Sequence, residues 1–342
     1  MEDNLIEKIK RRFFFLFHPI GFIIEVLRYK ATGNEFVSKY LITSFCLIGG
    51  KLQNLASRYV AFKKVNFDLE NNKTILSSTF ENETKNLIKL GHCLVPNALP
   101  GTIVEEFLEL AKSTKGSYRE MDSGAGGNFE NCFFNREKPL AVRFDYNPNE
   151  LFKNQLVQDL VCDPAVLNIA QNYLGGLPVF DFVAMWWHTE SATPDKHAAQ
   201  YFHFDMDRIR WIKFFFYLTN VNSDSGPHTF IERSHADGGI PLNLRSKGYA
   251  RLTDDEVSAS FPEKMWKEFV GPRGSMIVED TRGLHKGKHV LKGDRLLFQI
   301  QYTSSLFNKT TPKTQISRLE VGPLLNKTRS NYPEIFQQVE FV

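Results

Sequence analysis

The most informative segment of the sequence reads Tyr201-Phe202-His203-Phe204-Asp205. Its aromatic residues favour a β-strand, in which side chains two positions apart share one face of the sheet. His203 and Asp205 are therefore expected to point the same way and to hold one metal ion. Two ligands leave a divalent ion underbound, and His285 offers a third within the glycine-flanked segment Gly283-Leu284-His285-Lys286-Gly287. Two histidines and one carboxylate form the facial triad that suits non-haem Fe(II) oxygenases.

An arginine follows ten residues after His285, where a turn at Gly293-Asp294 leads into the apolar segment Arg295-Leu296-Leu297-Phe298-Gln299-Ile300. A guanidinium pairs with a carboxylate through two parallel hydrogen bonds and stays charged when it is buried. Arg295 is thus suited to bind the distal carboxylate of a dicarboxylic cosubstrate. Together with the three metal-ligand candidates it forms one candidate site.

These motifs resemble the phytanoyl-CoA dioxygenase family of Fe(II)/2-oxoglutarate oxygenases. The similar segments lie between about residues 90 and 305 and comprise His203-Phe204-Asp205, Tyr217-Leu218-Thr219-Asn220-Val221, Gly226-Pro227, Ser234-His235, Asp280 to Gly287 and Gly293-Asp294-Arg295. The resemblance implies a mainly β, α+β protein whose core is a double-stranded β-helix (a cupin-like jelly-roll) with supporting helices. It also implies Fe(II), 2-oxoglutarate and O2 as cofactors, iron bound by His203, Asp205 and His285, and succinate and CO2 as products.

Two positions refine this comparison. In the halogenating relatives of that family a small residue replaces the carboxylate, so Asp205 favours hydroxylation, while desaturation, ring closure and demethylation stay open. Family members often carry a hydroxyl residue two positions after the distal histidine, where this sequence has Gly287. The second contact to the C5 carboxylate of 2-oxoglutarate, beside Arg295, therefore stays open.

Four further polar residues are weaker candidates. Arg143, His188 and Lys213 are expected either to contact cosubstrate or substrate, or to be buried polar residues satisfied by their neighbours. Asp207 shares the expected strand face with Asp205 and would compete for iron, and the resemblance favours Asp205. The aromatic strand from 178 to 189 presents one of two alternating sets of side chains to the pocket, and His188 belongs to the set that includes Phe182 and Trp186.

Composition bounds the class of protein. Of 342 residues, 42% are hydrophobic and 24% are charged, which fits a soluble globular protein of one large or two small domains. The 30 phenylalanines favour a β-rich body. A net charge of +3 gives no case for a nucleic-acid partner. Four scattered cysteines predict a reducing compartment, the cytoplasm, instead of a disulfide scaffold.

The chain divides into three predicted parts. Residues 1–85 form a helical extension and linker, in which Pro19 is expected to break any long helix. Residues 86–310 form the oxygenase domain, with a glycine-rich loop over 117–131 at the site entrance and an insertion over 236–272 that covers the site. Residues 311–342 form a C-terminal tail that packs on the core.

The N-terminal segment has three interpretations. Lys8, Lys10, Arg11 and Arg12 precede an apolar, aromatic run, which is the order of a signal peptide, but no small-residue cleavage site follows. A basic amphipathic helix on a membrane surface is the second interpretation. The third is a set of helices packed on the catalytic body or on a second subunit, which leaves a homo-oligomer open.

The predicted function is oxidation of a small-molecule or lipid-like substrate. One rival is a jelly-roll binding protein without turnover, which loss of a triad residue or of Arg295 would have favoured. Another is a cupin-type metal hydrolase or isomerase, which has no use for a guanidinium at that position.

Overall fold

The computed structural model describes residues 3–67, 74–78, 81–119, 130–196, 198–248, 250–309 and 311–342. Most of the glycine-rich loop predicted at the site entrance lies outside these residues. The helices are α1 (Asp3–Thr32), α2 (Leu41–Ile48), α3 (Lys51–Val60), α4 (Glu81–Leu90), α5 (Gly101–Ser113), α6 (Pro148–Lys153), α7 (Gln155–Val161), α8 (Pro164–Leu174), α9 (Leu242–Arg245), α10 (Asp254–Ser258) and α11 (Pro323–Asn331). Short 3-10 helices cover Glu263–Met265, Arg318–Glu320 and Pro333–Phe336.

The strands are β1 (His92–Val95), β2 (Gly116–Tyr118), β3 (Arg143–Tyr146), β4 (Val179–Thr189), β5 (Trp211–Tyr217), β6 (His228–Ile231), β7 (Trp266–Phe269), β8 (Met276–Glu279), β9 (His285–Gly287), β10 (Asp294–Thr303), β11 (Thr314–Ile316) and β12 (Val339–Phe341). Seven of them form one antiparallel sheet in the order β1-β8-β5-β10-β4-β3-β2. A smaller antiparallel sheet has the order β7-β6-β9, and β11 pairs with β12 in parallel.

The two antiparallel sheets pack face to face. Phe215, Ile277 and Leu297 of the large sheet form one apolar cluster with Phe230 and Phe269 of the small sheet. Side chains alternate along a strand, so the next residues of β5 and β10 point to the opposite face of the large sheet. That outer face packs on helices α5 to α8 in a second, larger cluster. The structure is therefore a mixed helix and sheet protein with large antiparallel sheets, which is consistent with a jelly-roll core. The expectation of a mainly β protein is wrong, because the helices contain more residues than the strands.

The first helix differs from the sequence prediction. We expected Pro19 to end a helix, yet α1 continues through it to Thr32. A proline in a helix interior costs about 3 kcal/mol. That cost is offset because Phe22, Val26 and Tyr29 are buried in a third apolar cluster with α2, α3 and the His203 segment. Within the described part of the chain, no helix has the length and apolar character needed to cross a bilayer.

The insertion also differs from expectation. Segment 236–272 contains α9 and α10 as predicted, but it also supplies β7 of the small sheet. Its described residues pack on the N-terminal helices, where Arg245 donates to the carbonyls of Cys46 and Leu47, and none of them lines the cavity described below. The C-terminal tail buries Ile335 and Phe336 in the large outer cluster.

Candidate metal centre

His203, Asp205 and His285 converge on one point. One ligand atom from each lies within 4.8 Å of the other two. The Nε2 atoms of His203 and His285 are 3.7 and 3.5 Å from the Asp205 carboxylate oxygens, and the two imidazole centroids are 4.3 Å apart. Both histidines are buried, and Asp205 is only slightly exposed. The three residues that the sequence placed together are thus together in the structure.

The His203 segment is held by a local backbone pairing instead of a regular strand. His203 and His285 exchange two backbone hydrogen bonds of 3.0 and 2.9 Å, as directly opposed residues of an antiparallel pair do. The predicted strand over 201–205 is therefore wrong in extent, because only isolated bridges form there. Alternation still holds, since Phe202 and Phe204 point into the N-terminal cluster while the two ligand candidates face the cavity.

Backbone carbonyls fix the tautomer of both histidines. The Nδ1–H of His203 donates to the Tyr201 carbonyl at 2.9 Å, and that of His285 donates to the Gly283 carbonyl at 3.0 Å. Each Nε2 therefore carries a lone pair directed at Asp205, which is the protonation state that a metal ligand needs. Burial also lowers the pKa of both imidazoles below the ordinary value, so both are neutral at neutral pH.

Lys213 is paired with the carboxylate ligand candidate. Its Nζ lies 2.6 Å from Asp205 Oδ2 and 3.2 Å from Asp207 Oδ2. Burial opposes ionisation of Asp205, but the Lys213 ammonium outweighs it and holds the pKa of that carboxyl well below its usual range. Asp207 shares Lys213 instead of approaching the histidines. The structure therefore places Lys213 behind Asp205 and separates Asp207 from the triad.

Arg295 is buried without a carboxylate partner. It is 1% exposed, and no ion pair of the described residues includes it. Its Nη2 donates to His188 Nδ1 at 2.6 Å, while Nε and Nη1 have no hydrogen-bond partner. Burial lowers the pKa of Arg295 to about 10, so the guanidinium is charged at neutral pH. Burial and then the Arg295 charge hold the pKa of His188 well below its usual value, so His188 accepts as a neutral imidazole.

Arg143, by contrast, is already neutralised. It forms a forked pair with Asp145, with distances of 2.7 to 3.1 Å, and its guanidinium lies 4.6 Å from the centroid of the Trp186 ring. It lines the same cavity as the triad and Arg295. Of the polar residues singled out in the sequence, the structure thus brings all eight to one cavity, but among them it leaves only Arg295 as a buried cation without an acid.

The cavity has a volume of about 730 Å³ and lies between the two sheets. Phe182, Trp186 and His188 of β4 face it, which decides between the two sets of alternating side chains, because Val183, Met185 and Trp187 pack in the outer cluster. Sequence reasoning missed residues 147–149 at the start of α6 and the tail residues 311–314, which also line it. No motif marks these residues, since they reach the cavity only through tertiary packing.

A second pair of polar residues beside the triad was also missed. His228 stacks on His285 with ring centroids 5.6 Å apart, and its Nε2 lies 2.7 Å from Glu279 Oε2. Burial raises the pKa of Glu279 to about 8 and lowers that of His228 to about 3. The pair is therefore a neutral carboxylic acid beside a neutral imidazole. His228 and Glu279 stand at the ends of two strands of four residues each and belong to no motif, so the pair could not be found from sequence.

Comparisons with known proteins give structural neighbours only. No family model and no curated protein matches the sequence. HygX from Streptomyces hygroscopicus, solved with nickel and 2-oxoglutarate bound, is 15% identical over 69% of this chain and 90% of HygX, with a TM-score of 0.49. The epimerase SnoN, solved with Fe3+, alpha ketoglutarate and nogalamycin RO, is 17% identical over 66% of this chain and 83% of SnoN, with a TM-score of 0.47.

The carbocyclase SnoK from nogalamycin biosynthesis is 15% identical over 68% of this chain and 85% of its own, with a TM-score of 0.46. SnoN and SnoK are non-haem, alpha ketoglutarate-dependent enzymes, and HygX was solved with nickel and 2-oxoglutarate bound. Similarity this distant assigns no activity, and membership of the phytanoyl-CoA dioxygenase family stays a prediction.

Proposed function

We propose that this chain is a non-haem Fe(II)- and 2-oxoglutarate-dependent dioxygenase that hydroxylates a small-molecule or lipid-like substrate. One observation carries the proposal. One cavity contains a convergent His203-Asp205-His285 cluster and a buried guanidinium, Arg295, that has no acid to pair with.

The triad fits Fe(II). Two neutral imidazole nitrogens and one carboxylate oxygen on the same side of an ion leave its other positions open, which is the arrangement of non-haem Fe(II) oxygenases. The backbone carbonyls behind both Nδ1 atoms and the ammonium behind Asp205 orient the three donors before any ion binds. His203, Asp205 and His285 would therefore hold the metal.

The surroundings of Arg295 fit the distal carboxylate of 2-oxoglutarate. A buried charge without a partner is costly, and an incoming carboxylate would accept from the two unpartnered donors, Nε and Nη1. Gly287 lies two positions, roughly 7 Å, along β9 from His285. A Cβ at that residue would approach Arg295 Nη2 to 3.1 Å. The missing side chain leaves room for the guanidinium. His188 Nδ1 accepts a hydrogen bond from that guanidinium.

When bound, Fe(II) and 2-oxoglutarate supply the oxidation: O2 is consumed, the keto acid yields succinate and CO2, and one oxygen atom enters the substrate. The protein positions these groups and excludes water. Trp186 and Phe215 form an aromatic wall beside the triad. The cavity extends away from Arg295 along β4 to Phe182, and on to Asn147 and Thr311, which leaves space for a substrate larger than the keto acid.

The decisive experiment is anaerobic. Fe(II) and then 2-oxoglutarate are added to the purified protein, and the weak visible absorption of a chelated keto acid on Fe(II) is recorded. We expect this band in the wild-type protein and its loss in Asp205→Ala. Arg295→Ala should raise the dissociation constant for 2-oxoglutarate by about a hundredfold, because a buried charged pair is worth roughly 3 kcal/mol.

Arg143→Ala is the matched control. It removes a guanidinium from the same cavity, but one that is already paired with Asp145, so 2-oxoglutarate affinity should change much less than in Arg295→Ala. Iron binding without the band would contradict the proposal and favour a hydrolase or isomerase. A protein that binds no iron would instead be a binding protein with an oxygenase-like cavity.

A further inference from the structure

Helix α1 presents two different apolar faces. Phe22, Val26 and Tyr29 are buried against the rest of the protein. On the other side, large apolar residues at the spacing of a helix face are 43 to 64% exposed: Phe17, Ile20, Ile23, Ile24 and Leu27. Among the described residues, no other helix exposes so many large apolar side chains. In the sequence, the same spacing continues towards the N-terminus through Phe13, Ile9 and Ile6.

The charges around this face are mostly basic. Arg28 and Lys30 are exposed at the C-terminal end of α1. Glu25 is engaged by the protein, because the Ser38 hydroxyl and the Lys39 backbone N–H both donate to its carboxylate. In the sequence, the N-terminal part of α1 contains four further basic residues: Lys8, Lys10, Arg11 and Arg12. A partner that contacts the exposed apolar face of α1 would thus also meet basic side chains.

We propose that the exposed face of α1, formed by Phe17, Ile20, Ile23, Ile24 and Leu27, docks on an anionic lipid surface. An amphipathic helix with an apolar face and basic flanks lies in the membrane interface, and basic residues add attraction to anionic headgroups. Lysine and arginine can keep their charge in the headgroup region while their aliphatic stems cover apolar surface. A second copy of this helix would bring like charges together, so charge complementarity favours lipid over self-association.

The face has the dimensions of an interfacial helix. From Phe17 to Leu27 it extends about 15 Å along the helix axis. Its buried face is occupied by the protein, so α1 would lie flat on the surface instead of crossing it. This inference stands apart from the proposed function, because it depends on the outer surface of α1 and on none of the cavity residues.

The test is flotation of the full-length protein with vesicles of phosphatidylcholine alone and of phosphatidylcholine with phosphatidylglycerol. We expect the wild-type protein to float with the anionic vesicles and to be released in part by salt. The double variant Ile20→Glu, Ile24→Glu should bind at least about tenfold less, because two apolar side chains no longer enter the interface. Both positions are exposed, so the fold and 2-oxoglutarate binding should be unchanged.

The control is Leu242→Glu, Leu319→Glu, which places two glutamates at exposed leucines elsewhere and should bind as the wild type does. Arg28→Glu, Lys30→Glu should lose binding to anionic vesicles. The proposal is overturned if the wild type floats with neither vesicle, or if it floats equally with both. It is also overturned if the protein self-associates in solution and the α1 double variant abolishes only that association.

Discussion

At the scale of single residues, the glycine at position 287 explains how the site differs from the family that the sequence resembles. A hydroxyl side chain is common there, yet in this protein a Cβ would come within 3.1 Å of Arg295 Nη2. Contacts that short require the neighbour to move. His188 is the polar partner of Arg295 instead, because its Nδ1 accepts a hydrogen bond from Arg295 Nη2 at 2.6 Å. The glycine and the histidine are thus two parts of one arrangement that sets where the guanidinium lies.

Gly287→Ala should therefore weaken 2-oxoglutarate binding while leaving the metal site intact. The added methyl group would displace the guanidinium by a few tenths of an ångström and lengthen its hydrogen bonds, and we expect about a three- to tenfold higher dissociation constant. This dissociation constant is measured by titrating the anaerobic Fe(II) protein with 2-oxoglutarate. Gly101→Ala is the control, since nothing lies near a Cβ there. Equal affinity in wild type and Gly287→Ala would disprove the steric argument.

Glu279 gives a prediction for stability against pH. Its pKa is raised from 4.5 to about 8 in the folded protein, so between these values only the folded chain holds the proton. The contribution of Glu279 to the free energy of unfolding is therefore most favourable below about pH 4.5, and it falls as the pH rises towards 8. Each pH unit in that window costs about 1.4 kcal/mol.

The measurement is urea unfolding of the metal-free protein at pH 5 and pH 7.5. From the first to the second, the wild type should lose roughly 3 kcal/mol more than Glu279→Gln, which has no proton to release. Buried histidines titrate in both proteins, so the difference between them isolates Glu279. Identical pH dependence would mean that the carboxyl is ionised in the folded state.

At the scale of elements, strand β5 connects the outer core to the metal site. Its alternate residues Phe214 and Phe216 pack against the helices, which leaves Lys213 and Phe215 facing the cavity. The ammonium of Lys213 thereby sits behind Asp205. In the absence of a metal ion, the Lys213 ammonium keeps the largely buried Asp205 carboxylate ionised.

Lys213→Met should lower the unfolding free energy of the metal-free protein by about 3–5 kcal/mol, because it leaves two buried carboxylates without their cation. A divalent ion at the triad would restore positive charge beside Asp205. Mn(II) should consequently raise the melting temperature of Lys213→Met more than that of the wild type. Lys247→Met, at an exposed ion pair, should melt as the wild type does at both conditions. An equal Mn(II) effect in Lys213→Met and wild type would contradict this role.

Long strands with clear alternation were predictable from sequence, and short ones were not. β4 is an aromatic and apolar run of eleven residues, and it appears where the pattern placed a strand. The small sheet consists of strands of three or four residues, whose alternation is too brief to recognise. β7 was missed for this reason inside the segment expected to be a lid.

The candidate site was more predictable than its supports. His203, Asp205, His285 and Arg295 belong to motifs, so their spacing alone suggested a common site. Glu279 and His228 belong to none, and their pairing depends on how the small sheet stacks on the large one. The helix through Pro19 was missed because local propensity disfavours it, whereas burial of one face of α1 decides the outcome.

At the scale of the whole molecule, the N-terminal helices support the metal centre from behind. Phe202, Phe204 and Met206 alternate with the ligand candidates and point away from the cavity, into the cluster formed with α1 to α3. The Phe45 ring of α2 lies 5.3 Å from the Phe204 ring. The segment over 201–206 forms only isolated backbone bridges, so this packing contributes to fixing the position of His203 and Asp205. The extension is thus part of the site's scaffold.

Phe45→Ala should accordingly reduce both stability and metal affinity. Loss of a buried phenylalanine costs about 3–5 kcal/mol, and loosening of the segment between two ligands should raise the dissociation constant for Fe(II) by about tenfold. Phe336→Ala is the matched control, because Phe336 is equally buried but belongs to the outer cluster, remote from the His203 segment. Both variants should lose similar stability in urea, and only Phe45→Ala should bind Fe(II) more weakly under conditions where each is folded. If the two variants bind Fe(II) equally well, the N-terminal helices contribute to the fold but do not position the metal ligands.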